Sequence, residues 1–393
     1  MDHPSNPPQT TTLSRLPWRG IILGVWLVCG LAGAVGVWQR LTQGHLPAGY
    51  GSYVPWGLWI ALYFHGVGMA GGVFVITALG YVLGWKGFTD HRSLRIAIVL
   101  SVAAILPAFL GVLLDLGHMG RSYRIMVSPS LTSMMAFNAW MYNFYLLIAA
   151  VCWVLSYKAY SVWLKPFLIV GIMLSTMFPS QSGAFFGVVD AKAFWHSALL
   201  PVLFFTSAVT AGAALLLVVR YLVSLSTPLP GNEHALSLLR RVVLGGLLLY
   251  FFFEFAEFSI ALWNPVSHAP AIDLVLYGPY WWVFWIVHLL VGGVLALALL
   301  LRRMSMGSWI VGAGLVAVTF VSTRLNVLVP GQAVGEIHGL QEAFSHERLV
   351  YIYHATPMEY LVGLSLVSVG ITVFYIGRVI SDVVSTRLTA LQG

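Results

Sequence analysis

The sequence predicts an all-α integral membrane protein with about ten transmembrane helices. Of its 393 residues, 59% are hydrophobic and only 8% are charged, whereas about a quarter of the residues in a soluble domain carry charge. The mean hydropathy is +0.87. Ten apolar runs are long enough to cross a bilayer as helices, which takes about 20 residues each. These three observations exclude an ordinary soluble enzyme.

The predicted helices divide the chain into two groups of four with a flanking helix at each end. The second to fifth helices and the sixth to ninth helices each suffice for a four-helix bundle. The helices are predicted at 20–41, 54–85, 94–116, 136–157, 164–186, 195–223, 241–264, 280–302, 306–327 and 357–379. We therefore predict that the chain is divided into six segments. They are a cytoplasmic tail (1–19), a flanking helix and outer loop (20–53), the first bundle (54–186), the second bundle (187–327), a periplasmic loop (328–356) and the last helix with its cytoplasmic tail (357–393).

The basic residues predict the orientation in the membrane. Most Lys and Arg side chains lie between apolar runs, where they set topology, so the net charge of +7 does not indicate a nucleic-acid partner. With a cytoplasmic N-terminus, 14 of the 20 Lys and Arg residues fall inside and six fall outside. We therefore expect a multi-pass protein of the bacterial inner membrane with both termini in the cytoplasm.

Cysteine usage argues against a metal centre in this chain. Cys29 and Cys152 lie within apolar runs, and no Cys-x-x-Cys motif occurs. Any iron-sulfur cluster or structural zinc is therefore expected in another subunit.

Ionisable residues inside a membrane are costly and are candidates for function. His65 falls near the midplane, Asp115 ends the third helix, and His196 begins the sixth. Quinol chemistry moves two protons and two electrons, so it needs acid/base groups beside an apolar slot. We predict that these three residues handle quinol protons, with Tyr123 and Trp140 as walls of the pocket.

A polar corner follows the third helix on the predicted outer side. His118, Arg121 and Arg124 lie within this corner and are predicted to face a partner subunit. The alternative for the two arginines is snorkelling to the membrane interface.

Four further ionisable residues suggest a possible proton path: Glu254, Glu257, His288 and Glu359. The alternatives are a structural role for His288, and pairing of Glu254 and Glu257 with Arg324 or a tyrosine. A single haem between His65 and His288 stays open at this point, because their depths differ by roughly one helical turn. A proton-coupled transporter is a further alternative, although no repeat or pair of matched broken helices supports it.

Four sequence stretches resemble the NrfD/polysulfide reductase family of membrane subunits, in its ten-helix branch. They are PWGLWIALYFHGVGMAGG (Pro55–Gly72), DLGHMGRSYRIMVSPSLTS (Asp115–Ser133), FWHSALLPVLFFTSAVTAG (Phe194–Gly212) and YIYHATPMEYLVGLSL (Tyr351–Leu366). This branch includes the membrane subunits of hydrogenase-2 and of the Dsr complex. The resemblance implies two four-helix bundles, a quinol pocket near the periplasmic surface and no haem or iron-sulfur cluster in this chain.

The resemblance also implies partners. It indicates electron exchange between membrane quinone, for example menaquinone, and a four-cluster ferredoxin-like subunit on the periplasmic side, with a catalytic or cytochrome subunit beyond it. By position, His65, Asp115, Arg121 and His196 fall on family motifs. The chain departs from many relatives at His118, where they carry a basic residue and a proline after Asp-Leu-Gly.

Overall fold

The protein consists of packed membrane-length helices. The computed structural model describes residues 17–158, 160–263, 269–302, 305–337, 339, 343–344, 346, 349 and 351–391. Within this part of the chain there is no β-strand, and ten helices are long and apolar enough to cross a membrane. These are α1 (Trp18–Gln43), α2 (Leu58–Val82), α3 (His91–Asp115), α4 (Met134–Leu155), α5 (Leu164–Gly187), α6 (Leu200–Ser224), α7 (Asn232–Trp263), α8 (Val283–Leu301), α9 (Met306–Ala333) and α10 (Pro357–Ala390). The predicted all-α membrane fold is confirmed.

Several helices extend beyond the apolar runs that predicted them. α7 begins at Asn232 rather than at 241, and α10 continues to Ala390 rather than to 379. α9 continues through Pro330 to Ala333, so the predicted 328–356 loop begins later than expected. Hydropathy marks only the part of a helix that meets lipid, whereas the backbone hydrogen bonds continue into the polar interface.

The helices pack as two bundles that share one interface. α2 packs against α3 and α5, and α4 packs against α5, which encloses a core around Phe74, Tyr145 and Phe178. α6 to α9 enclose a second core that includes Leu217 and Phe320. α1 pairs with α10, and α10 also packs on α3. The first and last helices therefore flank the first bundle.

Small residues bring the two bundles together. A Cβ atom added at Gly72 of α2 would lie 2.2 Å from the carbonyl oxygen of Ala208 in α6. A Cβ atom added at Gly212 of α6 would lie 2.6 Å from the backbone nitrogen of Val73. Such close backbone approach is typical of helix interfaces in membranes. These glycines therefore set the distance between the bundles.

Polar side chains cap the N-termini of two helices. Asp90 and Ser133 precede α3 and α4, and their side chains accept hydrogen bonds from the backbone N–H groups of Ser93 and Ala136, as N-cap residues do.

The first part of α8, Val283–Leu295, is a π-helix. π-helical turns are rare and often occur at functional sites. We call the end of the molecule where α3 ends and α10 begins the corner face.

Candidate functional site

Asp115 is positioned at the corner face by an arginine from another helix. Arg40, in the last turn of α1, is 4% exposed. Its Nε donates to the Leu114 carbonyl at 2.6 Å and its Nη2 to the Leu116 carbonyl at 2.8 Å. The last carbonyls of a helix have no partner within the helix and attract positive charge. Arg40 therefore fixes the end of α3, and with it the half-buried Asp115.

Glu359 lies beside this helix end and is fully buried. Its Oε1 accepts a hydrogen bond from the Gly49 backbone N–H at 2.8 Å. Its Oε2 accepts a short hydrogen bond from the Tyr353 hydroxyl, and that hydroxyl in turn accepts one from the Leu58 backbone N–H at 2.8 Å. This carboxylate joins the α1–α2 loop, the start of α2 and the start of α10.

Three buried polar atoms at the corner face have no well-aligned hydrogen-bond partner among the described residues. They are His45 Nε2, Tyr50 OH and Asp115 Oδ1. The His45 and Tyr50 rings contact each other edge to face at 5.6 Å, and both contact the Trp59 ring, at 6.0 and 5.8 Å. Tyr50 lies within hydrogen-bonding reach of the Asp115 side chain, and His45 lies within reach of the Asp115 backbone. The imidazole, the phenol and the carboxylate therefore form one polar group at the end of α3.

We call His45, Tyr50, Asp115, Glu359 and Tyr353, together with Arg40, the corner cluster. Burial lowers the pKa of His45, and the nearby Arg40 charge lowers it further. Burial also raises the pKa of Tyr50 well above its usual value, with a further contribution from the charge of Asp115. At neutral pH the cluster therefore offers a neutral imidazole and a protonated phenol.

Predicted partner-facing residues are exposed on the same face. A turn at Met119–Arg121 and a short helix at Arg124–Val127 form the corner. His118, Arg121 and Arg124 are exposed, and none of the three forms an ion pair with a described residue. Exposed apolar side chains accompany them: Tyr123, Val127 and Leu131. The corner is a mixed basic and apolar surface.

The other predicted quinol residues lie apart from Asp115. His196 is exposed, and its Nδ1 lies 2.9 Å from Asp190 Oδ1. Tyr123 and Trp140 are also exposed. Among the described residues, no hydrogen bond or ion pair joins any of these three to Asp115. Their shared role in one pocket stays a prediction.

His65 is buried between the two bundles. Its Nε2 lies 2.7 Å from the carbonyl oxygen of Ala317 in α9. A Cβ atom added at the adjacent Gly66 would lie 2.9 Å from Ala108 Cβ, which places His65 about seven residues, or about 10 Å, below the end of α3. His65 is therefore beneath the corner cluster rather than within it.

Glu254 and His288 form a buried pair in the second bundle. The Glu254 Oε1 accepts a hydrogen bond from Tyr250 OH at 3.0 Å, and its Oε2 lies 3.0 Å from His288 Nε2. The Ser322 Oγ lies 3.2 Å from His288 Nδ1. Arg324 is not part of this pair, because its guanidinium donates to the Phe204 carbonyl and lies over the Phe204 ring. Of the pairings considered for Glu254, the one with a tyrosine is therefore present.

The remaining two residues of the predicted proton path are elsewhere. Glu257 accepts a hydrogen bond from Ser197 at 2.8 Å, and Glu359 belongs to the corner cluster. The sequence placed all four residues near the outer side, but packing separates them into three environments.

Both candidate haem ligands, His65 and His288, form hydrogen bonds within the protein. Haem iron binds a ring nitrogen of an axial histidine. Here His288 uses both ring nitrogens within the protein, and His65 Nε2 is bonded to Ala317. No group of three or more His, Cys, Asp or Glu residues among those described has a metal-binding arrangement.

Sequence reasoning missed most of the corner cluster. Arg40, His45, Tyr50 and Tyr353 come from a helix end and two loops, where polar and aromatic residues are ordinary. One available signal was Arg40, which is an isolated basic residue at the predicted outer end of the first helix. Another was the aromatic and histidine-containing loop between the first two helices, 44–56.

Similarity to known proteins agrees with this architecture. A selenate reductase subunit of Mesobacillus selenatarsenatis is 29% identical, over 88% of this chain and 90% of that protein. The Hdr-like menaquinol oxidoreductase integral membrane subunit of Archaeoglobus fulgidus is 25% identical, over 84% of this chain and 85% of that protein. A putative dimethyl sulfoxide reductase membrane subunit of Halobacterium salinarum is 26% identical, over 61% of this chain and 58% of that protein.

A family model extends the match to the helices that form both bundles. Residues 48–336 match the model described as Polysulphide reductase, NrfD. That range begins in the α1–α2 loop and ends just beyond α9, so it includes eight of the ten described membrane-length helices. The chain belongs to the NrfD polysulphide reductase family.

Proposed function

We propose that this chain is the quinone-interacting membrane subunit of a redox complex. In this proposal it exchanges electrons between membrane quinone and a ferredoxin-like iron-sulfur subunit on the periplasmic side. The observation that carries the proposal is the corner cluster, in which His45, Tyr50 and Asp115 bring an imidazole, a phenol and a carboxylate together beside the Trp59 ring. The name of the Archaeoglobus relative, a menaquinol oxidoreductase subunit, supports menaquinol as the class of substrate.

The corner cluster has the groups that quinol oxidation requires. Oxidation of a quinol releases two protons and two electrons. Asp115 and the neutral His45 each accept one proton, Tyr50 donates a hydrogen bond to a ring oxygen, and the two electrons pass to the iron-sulfur partner. Trp59 and Tyr353 provide flat apolar walls. In the direction of quinone reduction, the same two groups return the protons.

The exposed corner is the proposed docking surface for the partner. Arg121, Arg124 and His118 supply positive charge, and Val127 and Leu131 supply apolar contact. The distribution of Lys and Arg supports a periplasmic location for this face and a cytoplasmic location for both termini, in the inner membrane.

Replacement of Asp115 by Asn tests the quinol site. The variant keeps the shape of the side chain but removes a proton acceptor, so we expect quinol-dependent turnover of the assembled complex to fall by about 100-fold or more. A suitable control is Asp273→Asn, which makes the same carboxylate-to-amide change at an exposed residue outside the corner cluster. Unchanged turnover in the Asp115 variant, at equal assembly, would remove this cluster from the mechanism.

Proton translocation is the finer part of the proposal. Glu254, His288 and Tyr250 form a hydrogen-bonded group inside the second bundle, and such groups can relay protons. With complex in proteoliposomes, a potential-sensitive dye should report charge movement per quinol oxidised, and Glu254→Gln should lower that ratio. The absence of any potential with the unaltered complex would eliminate translocation and leave the quinol site in place.

A further inference from the structure

Ser322 lies at an interruption of α9. One helical segment ends at Thr319 and the next begins at Val321. In a continuous α-helix the N–H of Thr323 would bond to the Thr319 carbonyl, but here it bonds to the Phe320 carbonyl at 3.2 Å. The Thr319 carbonyl therefore needs another donor, since buried backbone carbonyls normally have a partner.

The Ser322 hydroxyl supplies that donor. Its Oγ lies 2.5 Å from the Thr319 carbonyl oxygen, and Ser322 is almost completely buried. A carbonyl oxygen can only accept a hydrogen bond, and a hydroxyl has a single proton to donate. At this distance two oxygen atoms need a proton between them. The one proton of the Ser322 hydroxyl is therefore donated to the Thr319 carbonyl.

This bond determines what Ser322 offers to His288. The Nδ1 atom of His288 lies 3.2 Å from Ser322 Oγ, and His288 is fully buried. Because the hydroxyl has no second proton, its oxygen can only accept a hydrogen bond from the ring. Nδ1 must then carry the proton of this bond. A neutral imidazole has one ring proton, so Nε2 has none unless the ring is an imidazolium.

The other side of the His288 ring faces a carboxylate. Nε2 lies 3.0 Å from Glu254 Oε2, and Tyr250 OH donates to the other oxygen, Oε1, at 3.0 Å. A bare Nε2 beside an ionised carboxylate would bring two lone pairs together in a buried site, which is costly. A proton must therefore lie between these two atoms, on Nε2 as an imidazolium or on Oε2 as a carboxylic acid. In both forms the pair holds one proton more than a neutral imidazole beside an ionised carboxylate.

We infer that Ser322 is a positioning residue that keeps a proton on His288 Nδ1, so that the Glu254–His288 pair holds a shared proton. Release of the shared proton leaves a bare Nε2 beside the carboxylate unless the ring proton moves from Nδ1 to Nε2. That move requires the Ser322 hydroxyl to turn from the Thr319 carbonyl toward Nδ1. The serine therefore controls when the pair gives up its proton. The use of this proton in a relay rests on the proposed function, whereas its position does not.

¹⁵N NMR of the His288 ring tests the inference. Val287–His288 is the only Val-His pair in the sequence, so labelling of valine carbonyl carbons and histidine nitrogens selects this ring in the full chain, reconstituted in lipid bilayers. We expect a protonated Nδ1, with Nε2 either protonated as well or bonded to a carboxylic acid. A neutral ring with its only proton on Nε2 would overturn the inference.

Ser322→Ala removes the acceptor for the Nδ1 proton. The neutral ring can then carry its proton on Nε2 and donate it to the ionised carboxylate of Glu254. We expect the population with a protonated Nδ1 to fall by about tenfold, the effect of losing one hydrogen bond. Ser322→Thr keeps the hydroxyl and should retain the signals of the unaltered chain. A protonated Nδ1 at full population in Ser322→Ala would overturn the role of the serine.

Ser365→Ala provides the matched control. Ser365 is also buried, and its hydroxyl donates to the carbonyl three residues earlier, that of Val362, at 2.6 Å. The variant therefore removes the same kind of helix bond in α10 and should leave the His288 signals unchanged. A change equal to that in Ser322→Ala would overturn the inference. If Ser322→Ala does not fold, the position of the ring proton in the unaltered chain and in Ser322→Thr still decides.

The inference and the proposed function fail separately. A His288 ring proton on Nε2 alone would overturn the inference and leave the result of Asp115→Asn unaffected. Full turnover in the Asp115→Asn variant would remove the corner cluster from the mechanism, while a protonated Nδ1 would still support the role of Ser322.

Discussion

The corner cluster and the Glu254–His288 pair both contain buried carboxylate and imidazole groups, but the hydrogen bonding of these groups differs. In the corner cluster, His45, Tyr50 and Asp115 each have a buried polar atom with no well-aligned hydrogen-bond partner among the described residues. In the second bundle, both oxygens of Glu254 and both ring nitrogens of His288 have partners. A buried polar group without a partner costs free energy. Under the proposed function, the corner cluster has hydrogen-bonding capacity left for a quinol, whereas the groups of the inner pair are bonded to one another within the protein.

Replacing His288 by Leu should produce the largest effect. The substitution leaves the carboxylate of Glu254 buried beside an apolar side chain, and breaking a buried pair in this way costs about 3–5 kcal/mol. We expect a clear loss of thermal stability of the solubilised subunit within its complex, measured by following helix content on heating.

A double variant sharpens this first prediction. Glu254→Leu combined with His288→Leu removes both members of the pair and should recover much of the lost stability, since no charge is then left without a partner. If the single variant is as stable as the unaltered protein, the inner pair is not a permanent structural network and the contrast with the corner cluster fails.

The second-largest effect is expected in the pH dependence of quinol oxidation, in which His45 accepts a proton. Its pKa is below the ordinary value of 6.5, because burial and the Arg40 charge disfavour the imidazolium. His45 therefore accepts protons at neutral pH and loses this ability only as the pH falls through its lowered pKa. We expect quinol oxidation to fall on the acid side with a midpoint below pH 6.5, and His45→Gln to flatten that limb of the profile.

The same shift has a consequence for stability. Because the pKa of His45 is lower in the folded state, the unfolded chain binds the proton more readily. This contribution to stability is present above pH 6.5 and is lost as the pH falls below it. An acid limb that is identical in the His45→Gln variant would show that another group titrates, and would weaken the view of the corner cluster as an exchanging site.

The smallest effect is expected at a partly exposed ion pair, Lys192 with Glu336, which serves as a reference for both regions. Lys192 contacts Glu336 at 3.0 Å, and its Nζ also donates to the Val334 carbonyl at 2.9 Å. Hydrogen bonding to Lys192 lowers the pKa of Glu336, so the stabilisation exists above pH 4.5 and disappears as the pH falls through the lowered value. Glu336→Gln should cost less than about 1 kcal/mol, measured by the same thermal assay.

Much of the candidate site was visible in the sequence as single residues. Asp115, Glu254, His288 and Glu359 stand out because charge and imidazole are rare in apolar runs. Their assignment to one proton path depends on how the helices are rotated toward one another. The sequence contains no information on the angle around the helix axis, and the structure places Glu359 with Gly49 and Tyr353 while Glu254 faces His288.

The residues that were missed lie far apart along the chain. Arg40 bonds to the end of α3, 74 residues away, and Gly49 bonds to Glu359, 310 residues away. Such contacts depend on how α1 and α10 pack beside α3, which no local pattern records. The loop residues His45 and Tyr50 acquire their chemical character only from this packing.

By itself, the sequence determined the membrane class and the number of membrane-length helices seen among the described residues, and it predicted where each ionisable residue lies along its helix. Position along a helix is a local property, because each residue adds about 1.5 Å along the axis. Only the tertiary structure decided which groups became partners. Partnership depends on helix rotation and on close approach at residues such as Gly72 and Gly212, and it distinguishes the corner cluster from the hydrogen-bonded pair of Glu254 and His288.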